Sequence, residues 1–427
     1  MKKLYILLLS AILYGCYGSG KDLPFYKLDV KIDPREQHLE SSLQCNYIHP
    51  QATADSIVFL LYKYFAIQSL EGENIRDYHF DTTSASPFPF TPKAGRLVLR
   101  LKKPMAQDER INFNIKYAGN IEPDSDWKIN RITEDWVELG MYAPWFPFNP
   151  ELKDLAFEVG VKTAGDYKVV GNGSVCNRNG SWQITNNMAG NDIIIAASRE
   201  MKQIEASGDD FSLHLYSAAG TEDSTMHDIL AANQIIFKNY IKWFGKTPGP
   251  SSLSILITPR ETNGGYARKG LIVLSKLNDK YYFRAKPGYM VYFAHELAHL
   301  WWLNAPVDSW EDWLNESFAE YSALISLREV LGESEFASRI KKKAEGIEAL
   351  PAIRGIKRND DMAYQVLYNK GCYYLYELEQ EIGRGKFLQL MRLIFTNRVN
   401  STDRFLEILS SNYGQQAAAR FNDKLNR

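Results

Sequence analysis

The sequence predicts two domains in series, an N-terminal antiparallel β-sandwich followed by a mixed α+β domain. Three observations carry this expectation. The chain has 427 residues, room for two or three domains with real cores. Residues 21–205 consist mostly of short runs in which apolar and polar residues alternate, separated by clusters of Gly, Pro, Asn and Asp. From residue 206 onward the apolar period becomes helical, with only a few strand-like runs between the helices.

The elements follow in order. Lys2 and Lys3 precede the apolar run Leu4–Leu13, which has signal-peptide length rather than spanning length. The segment Leu13-Tyr14-Gly15-Cys16 resembles a bacterial lipobox, in which the Cys becomes the lipidated first residue of the mature protein. Residues 1–20 are therefore expected to direct export and to anchor the chain through Cys16 to a bacterial membrane. A plain secretory signal with an incidental Cys16 is the alternative. The remaining cysteines, Cys45, Cys176 and Cys372, are odd in number and lack metal-ligand spacing. They read as free buried thiols, with a Cys45–Cys176 bridge as the alternative. Tyr26–Ile32, Arg96–Leu101, Ile111–Ile115 and Phe157–Val161 are strand runs of the first domain. The second domain, residues 206–427, opens with the strand Phe211–Tyr216. Helical periods then span Glu222–Trp243, Tyr289–Leu303, Trp310–Leu331 and Met362–Ile382, with strands at Leu253–Ile257 and Leu271–Ser275.

Composition excludes several function classes. Lys+Arg 50 against Asp+Glu 51 leaves a formal net charge of −1, which gives no electrostatic footprint for nucleic acid. The Trp127, Trp136, Tyr142, Trp145, Phe146 and Phe148 stretch reads as core or interface packing rather than sugar stacking. Lys341-Lys342-Lys343 reads as a solvated helix face.

The chemistry lies between Ala294 and Tyr321. His295-Glu296-Leu297-Ala298-His299 places two imidazoles four residues apart, on one face of a helix, where both reach one metal ion. Glu296 stands beside the first and can contact a water on that ion. Catalytic zinc takes three protein ligands and keeps a fourth position open. Glu316, Glu320 and Asp312 lie on one face of the following helix, and helical spacing alone does not choose among them.

The pairing of His295–His299 with Trp313-Leu314-Asn315-Glu316-Ser317-Phe318-Ala319 resembles the gluzincin aminopeptidases of the aminopeptidase N and leukotriene hydrolase type. The resemblance implies a thermolysin-like catalytic domain, one Zn²⁺ per chain and Glu316 as third ligand. Sixteen residues separate His299 from Glu316, two fewer than that family's usual eighteen, and the shortfall falls in Asn304–Ser309. Tyr368-Asn369-Lys370-Gly371 is similar to the family's Tyr-Glu-Lys-Gly, which implies that Tyr368 stabilises the oxyanion. The implied reaction is peptide-bond hydrolysis, with a metal-bound water activated by Glu296. The chain reads as truncated after the catalytic domain, since relatives continue into a further helical domain.

The departure from that family lies at Gly264-Gly265-Tyr266-Ala267-Arg268, in place of a Gly-x-Met-Glu-Asn strand whose Glu binds the substrate's free amine. Ala267 occupies the Glu position and Arg268 follows it, so an amine anchor is replaced beside a cation that would repel an ammonium. Glu138, nine residues before Pro147, is the candidate substitute, weighed against an exposed strand carboxylate. Whether cleavage is exo or endo stays open. The competing function is a catalytically retired lipoprotein that keeps the fold to bind peptides or an envelope partner.

Overall fold

A computed structural model describes residues 23–427 except positions 51–52, 89, 123–127, 153, 209–210, 219, 248–251, 262–264 and 308. The signal segment with Cys16, Trp127 and Gly264 therefore lie outside the described residues.

The first domain is built on alternation. In Phe25–Asp33, Tyr26, Leu28, Val30 and Ile32 are buried while Lys27, Asp29 and Lys31 are not, so one sheet face turns to the core. That strand pairs antiparallel with His38–Ile48 and parallel with Leu155–Thr163 inside a seven-stranded sheet. A three-stranded sheet (Ala54–Tyr62, Ala94–Met105, Ile75–Asp81) and a four-stranded one close the same core. The strands of the four-stranded sheet, in order, are Lys168–Gly171, Ile195–Ser198, Val137–Leu139 and Arg131–Ile132. The expected β-sandwich domain is present, mostly antiparallel, with its strands divided among three sheets and with one parallel pair. A parallel pair requires a long crossover, and residues 34–154 supply it. Trp145, Phe146 and Phe148 pack in this core.

The second domain starts from a five-stranded mixed sheet, in the order Lys202–Gly208, Phe211–Ser217, Ser252–Ile257, Leu271–Leu274, Gly265–Arg268. Its first strand begins before position 206. Both faces are covered. Leu253, Ile255, Ile257 and Ile272 meet the helices Asp223–Phe244 and Lys286–Ala298. Leu256, Tyr266, Leu271 and Val273 meet Trp136, Val170, Ile194 and Ala196 of the first domain. The strands accordingly read as continuous apolar runs. Gly265–Arg268 forms one edge of this sheet, and a cleft opens beside it. The helix Trp313–Leu331 packs against Lys286–Ala298 and is buried nearly all round, as expected for the centre of a helical layer. Among the described residues no helix is long and apolar enough to cross a membrane. Cys45, Cys176 and Cys372 are free, but Cys176 is exposed rather than buried, on the strand Ser174–Arg178.

Candidate metal centre

The cleft has a volume of about 560 Å³, and its walls include Tyr266, Ala267, Arg268, Tyr292, Glu296 and Tyr368. A larger hollow of about 710 Å³ lies on the first domain's big sheet, lined by Lys27, Gln44 and Asn114 among others, with no histidine in its wall. The chemistry is in the former.

The helix Lys286–Ala298 delivers His295 and Glu296, and His299 follows in helical conformation as its cap. The helix stops earlier than its apolar period suggests, and in the turn that follows His299 Nδ1 meets the Trp302 carbonyl at 3.0 Å. His295 Nδ1 meets Glu320 Oε2 at 2.9 Å. Both Nδ1 atoms face acceptors and donate to them, which leaves Nε2 of each ring as the atom that would bind a metal once any proton there is displaced. Glu316 sits one turn before Glu320 on the facing helix and reaches the Nε2 side. Its Oε2 lies 3.3 Å from His295 Nε2 and 3.5 Å from His299 Nε2.

These three residues fit zinc. Four-coordinate zinc with bonds of ~2.0–2.1 Å places its ligand atoms ~3.3–3.4 Å apart, close to the spacings found. Glu316 Oε2 is also buried without a hydrogen-bond partner, a costly arrangement unless a cation completes it. Burial disfavours charge on His295, but Glu316 and Glu320 outweigh it and hold the imidazole pKa up to about 10 in the metal-free chain. Burial likewise opposes charge on Glu316, and the two imidazoles hold its carboxyl below the usual range.

The rest of the Trp-Leu-Asn-Glu segment is structural. Trp313 Nε1 donates to Thr402 Oγ1 at 2.8 Å. Asn315 bonds both backbone groups of Ala305 and accordingly pins the shortened Asn304–Ser309 connection against the helix start. Asp312 is no ligand candidate, since Arg358 and Asn315 take its oxygens. Ser317 Oγ donates to the Leu367 carbonyl at 2.5 Å, inside the π-helical turn Gln365–Lys370. A Cβ on Gly371 would lie 2.0 Å from that hydroxyl, so glycine there lets the two segments touch.

Tyr368 occupies that π-helical turn. Its ring stacks on His295 with centroids 5.6 Å apart, and Arg358 Nη2 donates to its hydroxyl at 3.3 Å. Burial first, then the Glu316 charge, pushes its pKa far above the ordinary phenol value, so it stays a neutral donor.

On the opposite wall, Gly265 tolerates no side chain, because a Cβ would lie 1.9 Å from Tyr292 Oη and 2.3 Å from the Val273 carbonyl. Tyr292 is one turn before Glu296, so this close approach sets the distance between Glu296 and the edge strand. Ala267 borders the cleft, as expected. Arg268 is not a free cation. Its Nε bonds Asp192 at 2.7 Å and its Nη1 donates to the Ala267 carbonyl at 2.8 Å. Glu138 is neither exposed nor in the cleft wall. It is fully buried, accepting from Trp136 Nε1, Arg260 Nε and Tyr266 Oη, each at 3.0 Å.

Sequence reasoning missed Arg358, Tyr292, Asp192 and the part played by Glu320. Lys341 and Lys342 are exposed as expected, but Lys343 turns inward to Glu320 at 2.6 Å. No local signal marks these residues, since each partner is distant in sequence, although helical spacing did place Glu320 on the Glu316 face.

Residues 272–422 match the peptidase family M1 domain. Endoplasmic reticulum aminopeptidase 2 of Homo sapiens is 28% identical over 190 residues, covering 40% of this chain and 20% of its own length. Leucine aminopeptidase 2 of Aspergillus terreus is 34% identical over 119 residues, covering 24% of this chain and 19% of its own. The matched segments thus span about a fifth of these relatives. Among solved structures, an M1 zinc metallopeptidase from Deinococcus radiodurans superposes with a TM-score of 0.70 at 18% identity, covering 95% of this chain and 94% of that one. A variant of it has been crystallised with a Tyr-Ser-Ala substrate. At that identity the likeness establishes the fold: a β-rich domain followed by a helix-rich catalytic domain.

Proposed function

We propose that this chain is a zinc-dependent peptide hydrolase. The observation that carries the reading is the convergence of His295, His299 and Glu316, whose ligand atoms lie within 4.8 Å of one another, with Glu296 and Tyr368 on the same cleft. Zinc held there supplies Lewis acidity at the substrate carbonyl and lowers the pKa of water toward ~7. Glu296 takes the proton of the attacking water and delivers it to the leaving amine. Tyr368 donates its phenolic proton as a hydrogen bond to the developing oxyanion. The wall beside Ala267 orients the peptide.

The test is direct. The wild-type chain contains one zinc and cleaves peptides; Glu296→Gln retains the zinc and loses most turnover. Stoichiometric zinc with no hydrolysis across a broad peptide library would leave a peptide-binding protein instead.

The finer reading concerns the substrate's N-terminus. Among the described residues, the carboxylates lining the cleft are Glu296, Glu316 and Glu320; the last two are paired with His295, and Glu296 stands beside it in the same helix. Ala267 offers an ammonium nothing, and Glu138 and Asp192 are committed elsewhere. A lost charge-assisted hydrogen bond costs about 1.5–3 kcal/mol, one to two orders of magnitude in binding. Simple aminoacyl chromogenic substrates are therefore poor, and acetylating the N-terminus of a longer peptide changes kcat/KM little. A loss above about a hundredfold on acetylation would reveal a dedicated amine site and refute this. For location, the lipobox-like Leu13–Cys16 segment supports export and lipid attachment at Cys16, and Cys16→Ser should release the protein from the membrane fraction.

A further inference from the structure

Resting on the zinc reading above, we propose that Lys343 is a positioning residue of the metal centre: one inward-turned cation that holds the Glu320–His295 pair and the Tyr368 turn in register.

The side chain leaves the helix Glu333–Ala344, is 15% exposed, and reaches two acceptors on two different segments. Its Nζ lies 2.6 Å from Glu320 Oε1 and 2.6 Å from Asn369 Oδ1. Through the first contact the chain of partners runs Lys343, Glu320, His295, metal position. Glu320 spends its other oxygen on His295 Nδ1 at 2.9 Å, and this bond aims Nε2 at Glu316. A carboxylate so placed also raises the donor strength of a ligating imidazole. It is only 12% exposed, however, and a nearly buried negative charge without a cation is costly. Lys343 provides that cation. Removing it favours rotation of Glu320 toward water and away from His295.

Through the second contact Lys343 reaches the oxyanion side. Asn369 follows Tyr368 directly, and its Nδ2 donates to Gln365, so the pair brackets Tyr368 within the π-helical turn. Tyr368 in turn stacks on His295. One ammonium therefore fixes both faces of that stack, while Arg358 holds the far side through Asp312 and the Tyr368 hydroxyl.

The test is zinc affinity by chelator competition, measured on the full chain independently of turnover. Lys343→Met should weaken zinc binding about tenfold or more, in the range known for outer partners of metal ligands. Lys343→Arg should recover most of the affinity. In a Glu320→Gln background, Lys343→Met should cost little more, because both act through one bond to His295. Asn369→Ala should leave zinc affinity intact and lower kcat with little change in KM. Zinc bound by Lys343→Met within about threefold of wild type, with an unchanged circular dichroism spectrum, overturns the clamp. Should that variant not fold, Lys343→Gln is read by the same criterion. Absence of zinc from the wild-type chain would overturn the hydrolase reading and the clamp together, whereas equal zinc in wild type and variant overturns the clamp alone.

Discussion

Removing the Glu138 carboxylate should unfold the junction between the two domains rather than weaken substrate binding. Glu138 is 0% exposed and Arg260 2% exposed, with Nε and Oε2 3.0 Å apart. Breaking a buried pair from one side costs about 3–5 kcal/mol. Glu138→Gln keeps the shape and one acceptor oxygen, so a loss of about 3 kcal/mol is expected. Glu138→Ala also strips the acceptor from Trp136 Nε1 and Tyr266 Oη, each orphaned donor adding about 1 kcal/mol or more, for a total near 5 kcal/mol. That is a large part of the ~5–15 kcal/mol that holds a typical protein folded. Urea unfolding followed by tryptophan fluorescence measures it, since Trp136 lies at the junction. The ratio of activity on free and acetylated peptides should not change in Glu138→Gln. Were both variants within 1 kcal/mol of wild type, with KM raised for unblocked peptides only, Glu138 would be the amine ligand and the buried-network argument would fail.

Other outcomes follow from the same geometry. His299→Ala should lose its zinc, and retention of one equivalent by elemental analysis would remove His299 from the ligand set. Tyr368→Phe should keep zinc and lower kcat more than it changes KM, as for a bond made mainly in the transition state; steady-state kinetics decide. Gly371→Ala should destabilise the chain by a few kcal/mol through the 2.0 Å approach to Ser317 Oγ. Ser317→Gly should restore much of that loss in the double variant, which thermal melting can show.

The two-domain order and the His295–His299 pair were legible because their signals are local, whereas Glu316 was singled out from Glu320 and Asp312 only by the family resemblance. Alternation marks a strand within a handful of residues, and His295, His299 and Glu316 sit on two helices joined by one short connection. What stayed hidden depends on contacts between distant positions. Glu138 and Arg260 are 122 residues apart, Arg268 and Asp192 76. Lys343 is one of three consecutive lysines, and only the packing of its helix decides which of the three turns inward. The parallel pairing of Phe25–Asp33 with Leu155–Thr163 was hidden for the same reason, since alternation reports burial and not the direction of a neighbour.

The hidden pair at Arg268 changes the electrostatics of the amine end. Read from sequence, Arg268 is a cation beside an apolar Ala267, and it repels an ammonium. In the structure its charge is matched by Asp192 at 2.7 Å, with Tyr142 and Tyr266 rings 5.5 and 4.9 Å from the guanidinium. At the distance of a substrate amine the two opposite charges largely cancel, because both act across similar separations. Arg268 thus neither repels nor attracts strongly, and its bond to the Ala267 carbonyl removes one acceptor that a peptide strand could have used. On the proposed reading, discrimination at this end would then rest on the missing carboxylate at position 267 rather than on the neighbouring cation. For that reason Ala267→Glu should shift preference toward free N-termini while Arg268 stays paired with Asp192.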